Sequence, residues 1–107
     1  MAGVGDRAFR EICSSFGAAY TVSEMVSAKA LEFGDKKTRG LMELGDTARP
    51  AAIQIFGYEP PIMADAAAKA MAFAPDAIDI NMGCPAKKVC NKAAGSALMR
   101  DEALVAR

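Results

Sequence analysis

The sequence predicts an α/β fold in which short apolar strands alternate with helices. Three segments have the length and composition of buried strands, residues 18–22, 51–56 and 77–81. Stretches with helical periodicity separate them, and this alternation implies right-handed crossovers and a parallel sheet. Such a pattern fits either a TIM barrel or an open doubly wound sheet. No glycine-rich dinucleotide or P-loop motif follows a strand, which argues against Rossmann and P-loop proteins.

The first half of the chain carries two predicted helices around its first strand. Asp6 is a predicted N-cap for a helix over residues 7–16, and Gly17 is its predicted C-terminal stop. A weaker helical stretch covers residues 26–33. The spacing of the first helix places four side chains on one apolar face: Phe9, Ile12, Cys13 and Phe16.

The second half repeats the strand–helix–strand order. The strand over residues 51–56 is followed by Pro60 and Pro61, which the first turn of a helix tolerates. The predicted helix over residues 62–73 has a broad apolar face suited to packing on a sheet. Acidic residues begin a further helical stretch at residues 101–107.

Composition limits the chemistry that this chain can perform. Its 107 residues suffice for one small domain, and they contain no histidine, which excludes serine–histidine and cysteine–histidine mechanisms within the chain. Thirteen basic and thirteen acidic residues cancel, so charge alone does not indicate a nucleic-acid partner. Three cysteines with no framework spacing suit a reducing cytosol. No apolar run is long enough for a membrane helix, and we expect a cytoplasmic protein.

Three predicted strand ends carry unusual groups. Met1 and Ala2 begin a small-residue turn, Gln54 lies in the second strand, and Asn81 and Cys84 follow the third. In a barrel the carboxyl ends of the strands meet on one face, so these residues are expected to share a site. Gln54 offers donors and an acceptor to a flat cofactor ring, although most buried amides are simply paired within the protein.

Cys84 lies between Gly83 and Pro85, in an abrupt turn at the mouth of a strand. A buried cysteine is often only a small apolar filler, which is the alternative to a catalytic role. A metal site is not expected, because no histidine is present, and the spacing to Cys90 does not match a C-x-x-C redox pair. A thiol is mostly protonated at neutral pH in water, so it can act as a proton donor.

Several blocks of this sequence together resemble those of one protein family. The most specific block is Asn-Met-Gly-Cys-Pro at residues 81–85. Weaker blocks occur in the same order as in that family: Met1-Ala2-Gly3-Val4, Thr21-Val22-Ser23-Glu24-Met25, Gln54-Ile55-Phe56-Gly57 and Ala94-Gly95-Ser96-Ala97-Leu98-Met99. With these blocks the chain resembles the tRNA-dihydrouridine synthases, in particular the bacterial type.

The resemblance implies an FMN-binding TIM (β/α)8 barrel followed by a helical domain that helps to hold tRNA. Residues 1–107 would then be the N-terminal part of the barrel, with about three to four of its βα units. The rest of the barrel and the helical domain would lie outside this chain, and the isolated fragment is expected to be inactive.

The resemblance also assigns roles to individual residues. Met1 and Ala2 would line the flavin, Gln54 would hydrogen-bond its ring, Asn81 would hold the target uracil, and Cys84 would be the general acid. NADPH or NADH would reduce FMN, tRNA would be the substrate, and neither a metal nor a membrane is expected. Two alternatives stay open: another FMN barrel dehydrogenase acting on free pyrimidines, and a non-catalytic truncated fragment.

Overall fold

The computed structural model describes residues 2–107 and contains a parallel sheet with helices packed on one face. The predicted α/β class with a parallel sheet is therefore confirmed. The strands are β1 Thr21–Val22, β2 Val26–Ser27, β3 Ala51–Phe56 and β4 Ala77–Ile80. The α-helices are α1 Arg7–Ser15, α2 Ala28–Glu32, α3 Lys36–Gly40, α4 Pro60–Ala70, α5 Lys87–Cys90 and α6 Glu102–Val105, and 3-10 helices cover Met71–Phe73 and Gly95–Arg100.

The central strand of the sheet is β3, which pairs in parallel with the other three strands. Ala52 is paired with Val22 of β1 and with Ala77 of β4, so β1 and β4 occupy opposite edges of β3. Ile55 is likewise paired with both β2 and β4. It follows that β1 and β2 run one after the other along the same edge of β3.

A bulge separates β1 from β2. Three residues, Ser23 to Met25, stand opposite two residues of β3, as the pairing registers on either side require. Ser23 keeps the strands connected there, because its backbone N–H donates to Ala52 O at 2.9 Å and its Oγ accepts from Gln54 N at 3.0 Å. Bulges re-aim side chains at the rims of sheets, and this one lies beside the cleft described below.

The apolar core lies between the sheet and its helices. Ile53 and Ile55 of β3 are almost completely buried and join a cluster that includes Ala66 and Ala70 of α4. Small alanine side chains on α4 allow its backbone to approach the sheet closely. The predicted helix, its proline start and its apolar face are confirmed, since both prolines lie in the first turn and Ile62 and Phe73 pack against the cluster.

Helix α1 has the predicted extent, but its apolar face is not buried in the described chain. Phe9 and Ile12 are about half exposed and Phe16 is 87% exposed. Arg10 is turned inward instead, with 4% of its surface exposed, and donates to Gly5 O at 2.7 Å and Glu43 O at 2.6 Å. The amphipathic spacing therefore predicted the helix correctly, and the apolar face that it defines is largely exposed within residues 2–107.

The other differences are local. Residues 26 and 27, predicted as the start of a helix, form β2, and Ser27 then caps α2 by accepting from Ala30 N at 3.3 Å. The predicted first strand is shorter than expected, because only Thr21 and Val22 pair with β3. Within residues 2–107, no helix combines the length and the apolar character needed to cross a bilayer.

Candidate active site

A cleft of about 280 Å³ opens at the carboxyl ends of β3 and β4, on the side of the sheet opposite the apolar core. Four of the five predicted site residues line it, namely Ala2, Gln54, Asn81 and Cys84. Met1, the fifth, lies outside the described residues. The structure therefore brings together side chains that are separated by up to 82 positions along the chain.

A series of hydrogen bonds connects Asp79 with three residues that line this cleft, Gln54, Asn81 and Cys84. Gln54 donates from Nε2 to Asp79 Oδ2 at 2.6 Å, and its Oε1 accepts from Asn81 Nδ2 at 2.9 Å. Asn81 Oδ1 in turn accepts from the backbone N–H of Cys84 at 3.0 Å. Gln54 is thus a paired amide, as the simpler interpretation expected, yet one N–H and one lone pair of its side chain remain for a ligand.

Hydrogen bonds hold both backbone polar groups of Cys84. Asn81 Oδ1 accepts from the Cys84 N–H, and the Cys84 carbonyl accepts from Ser96 N at 3.0 Å and from Cys90 Sγ at 3.3 Å. Gly95 packs so closely that a Cβ at this position would lie 2.6 Å from the Cys84 carbonyl oxygen. The thiol therefore projects, half-buried, from a backbone with little freedom to shift.

The remaining sulfur chemistry is limited by what surrounds each thiol. Cys13, Cys84 and Cys90 are free thiols, and Cys90 Sγ lies 3.3 Å from Ser96 Oγ as well as contacting the Cys84 carbonyl. Over residues 2–107 no three His, Cys, Asp or Glu side chains are grouped to hold a metal ion. Of these three cysteines, Cys84 lines the cleft.

The N-terminal turn forms the opposite wall of the cleft and is anchored by two charged side chains. Glu24 Oε2 accepts from Gly3 N at 2.9 Å, and Arg10 Nη1 donates to Gly5 O. Burial lowers the pKa of the Arg10 guanidinium, because desolvation disfavours its charge. Glu24 Oε1 is buried without a hydrogen-bond partner among the described residues, which leaves one acceptor at the cleft wall.

Sequence reasoning missed Asp79, Glu24 and Arg10 as parts of the site. Asp79 interrupts an otherwise apolar strand, and a charged residue at such a position requires a partner. That signal was available in the sequence. Arg10 gave no comparable signal, because a single arginine on an amphipathic helix is normally solvated.

One known protein family matches the whole of this chain. The profile of the family described as Dihydrouridine synthase (Dus) matches residues 1–107, the whole of the chain. The chain belongs to the dihydrouridine synthase family. The resemblance carried by the Asn-Met-Gly-Cys-Pro block is thereby confirmed.

Bacterial relatives of the family are similar along the full chain. The tRNA-dihydrouridine synthase B of Pseudomonas aeruginosa is 51% identical over 106 residues, which cover 99% of this chain and 32% of that protein. The tRNA-dihydrouridine synthase B of Xanthomonas axonopodis is 50% identical over 107 residues, or 100% of this chain and 32% of that protein. That of Shewanella oneidensis is 47% identical over 105 residues. The chain spans about a third of the length of the curated relatives it matches.

Proposed function

We propose that the protein containing this chain reduces specific uridines of tRNA to 5,6-dihydrouridine in the cytoplasm. Family membership and the names of the bacterial relatives favour this activity. The observation that carries the proposal is the convergence of Gln54, Asn81 and Cys84 on one cleft at the carboxyl ends of β3 and β4. This is the edge at which α/β barrels bind their ligands.

Residues 1–107 would form the N-terminal part of an FMN-binding TIM barrel. The parallel order of β3 and β4, with α4 crossing between them, is the βα unit from which such barrels are built. The remaining strands of the barrel and a helical tRNA-binding domain would belong to the part of the relatives that this chain does not match.

Two features of the cleft would suit a flavin ring. Gln54 retains one N–H and one lone pair, which suits the alternating carbonyl and imide groups of an isoalloxazine. Ala2 presents a small side chain and the adjacent Gly3 none, so a flat ring can approach the backbone of this turn. FMN bound here, and reduced by NADPH or NADH, would supply a hydride to one carbon of the uracil double bond.

The protein residues would supply orientation and one proton. Asn81 would hold the uracil through its amide, whose Nδ2 carries a second N–H beyond the one that faces Gln54. Cys84 would donate its thiol proton to the carbon next to the one that accepts the hydride, and the resulting thiolate would be reprotonated from solvent. Hydride and proton together saturate the double bond, so the reaction is balanced.

The target uridine must leave the tRNA fold to enter such a cleft. Extruding a base costs a few kcal/mol, and enzymes that act on bases recover that cost through contacts in the pocket. Because this chain has a formal charge of zero, we assign most of the contacts to the phosphate backbone of the tRNA to the helical domain.

To test the proposal, the intact protein is incubated with FMN and with NADPH or NADH. One reaction contains unmodified tRNA, and another contains free uridine and uracil. We expect nucleosides from the tRNA to gain the mass of two hydrogens, with no turnover of the free pyrimidines. Reduction of free pyrimidine without tRNA would instead support a different FMN barrel dehydrogenase.

A further inference from the structure

We propose that Asp79 is a positioning residue, which sets the orientation of two side-chain amides so that an acceptor always faces the backbone of Cys84. The hydrogen bonds that carry this inference join Asp79, Gln54, Asn81 and Cys84 in that order. The inference rests on the proposed function for its catalytic meaning, because Cys84 is the general acid only there.

The first step is fixed by the chemistry of a carboxylate. Gln54 and Asp79 are direct partners in the register of β3 and β4, so their side chains leave the sheet on the same face. An ionised carboxylate only accepts hydrogen bonds, whereas the end of a glutamine amide either donates or accepts. Gln54 must therefore turn its NH2 group towards Asp79, and the 2.6 Å contact is the short distance of a charge-assisted bond.

The second step follows from the first. With Nε2 committed to Asp79, Gln54 presents Oε1 to Asn81, which must then donate from Nδ2 at 2.9 Å. This leaves Asn81 Oδ1 facing the loop, where it accepts from Gly83 N at 3.3 Å and from Cys84 N at 3.0 Å.

The opposite orientation is unfavourable at both ends of this series of hydrogen bonds. Rotating the Gln54 amide by half a turn would place Oε1 against the Asp79 carboxylate, where two acceptors repel. Asn81 would then have to accept from Gln54 and would turn its NH2 group towards the N–H of Cys84. Two donors would face each other there, and the half-buried N–H would be left unpaired. One carboxylate thus determines the orientation of both amides.

The test records the backbone amide resonances of 15N-labelled cysteines in the intact protein. The variants Cys84→Ser and Cys13→Ser each remove one signal and thereby assign the resonances of Cys84 and Cys13. We expect Asp79→Asn to shift or split the Cys84 signal, because an asparagine either donates to or accepts from Gln54. The Cys13 signal, from helix α1, should not move. We also expect kcat for tRNA to fall by roughly 10- to 100-fold, the range for a misplaced catalytic group.

A second variant restores the donor-to-acceptor direction of these hydrogen bonds without a carboxylate at position 79. In Asp79→Asn/Gln54→Glu the carboxylate moves to position 54, where it accepts from residue 79 on one side and from Asn81 on the other. We expect the Cys84 signal to return to its wild-type position. Activity is not the readout for this variant, because Gln54 is proposed to contact the flavin.

The matched control is Asp76→Asn. Asp76 immediately precedes β4, and its Oδ2 accepts from Ala51 N at 2.7 Å and from Arg49 Nη1 at 2.9 Å, away from the cleft. This variant should lower the unfolding midpoint while leaving the Cys84 signal in place.

An unmoved Cys84 signal in folded Asp79→Asn would overturn the inference, as would a double variant that fails to restore it. If Asp79→Asn does not fold, the double variant decides alone: a wild-type Cys84 signal supports the inference, and a displaced signal refutes it. These signals do not depend on turnover, so failure of the inference is distinguishable from failure of the proposed function.

Discussion

The two faces of strand β3 differ in what their side chains contact. On one face, Ile53 and Ile55 are buried in an apolar cluster that also contains Ala66 and Ala70 of α4. On the other face, Gln54 is held between Asp79 and Asn81 at the edge of a cleft. Successive residues of one strand therefore take part in two separate kinds of structure.

The two faces of β3 therefore contribute to different properties of the protein, the helix side to stability and the cleft side to the candidate site. Burial of apolar surface on the helix side is the main favourable term in folding. The polar side is satisfied by a directed set of hydrogen bonds, which contribute little net stability but fix the positions of donors and acceptors. Substitutions on the two faces should therefore have different consequences.

The largest stability effect is expected on the helix side. Ile53 is 0% exposed, so Ile53→Ala should lower the free energy of unfolding by about 3 kcal/mol through lost burial and the cavity left behind. Its control is Ile80→Ala in β4, where the side chain is 50% exposed and the loss should stay below about 1 kcal/mol. Urea unfolding followed by circular dichroism measures both values.

A substitution on the helix side of β3 should affect stability and not the rate of the reaction. Molecules of Ile53→Ala that remain folded and carry flavin should form dihydrouridine at nearly the wild-type rate. Equal losses of stability in the two isoleucine variants would contradict the burial of Ile53 in the core.

A smaller effect is expected where the Cys84 loop packs on Gly95. Gly95 has φ +61° and no space for a Cβ, whereas Gly17 has φ +95° with nothing within 4 Å of an added Cβ. Both alanine variants should carry backbone strain of about 1–2 kcal/mol. Gly95→Ala should lose a further ~1 kcal/mol from overpacking against Cys84.

Only Gly95→Ala should also slow dihydrouridine formation per folded molecule, because it displaces the Cys84 backbone. Unfolding measurements and single-turnover rates on both variants check this. A normal rate in Gly95→Ala would show that the position of the loop does not limit the reaction.

The sequence predicted the α4 side of the molecule better than the rest. The periodicity of α4 and the apolar run of β3 are local signals, and the packing of these two elements follows from them directly. Helix α1 shows the limit of such signals. Its spacing defines an apolar face, but whether that face is covered depends on segments distant in sequence, and within residues 2–107 Phe16 stays exposed.

Several side chains of the candidate site were predictable from the sequence, but the hydrogen bonds that connect them were not. Residue type and position at strand ends brought Gln54, Asn81 and Cys84 forward as candidates. That Gln54 bonds to Asp79 depends on the register between β3 and β4, which the sequence alone does not define. The role of Arg10 in holding Gly5 depends similarly on tertiary packing.

The most direct test of the central claim is dihydrouridine formation by the flavin-loaded, intact Cys84→Ala protein. Loss of a general acid typically costs 10²- to 10⁴-fold, so we expect a rate lower by about that factor, with flavin absorbance retained. Cys13→Ala, altered at a thiol in α1 away from the cleft, should react at the wild-type rate. A wild-type rate in flavin-loaded Cys84→Ala would contradict the account.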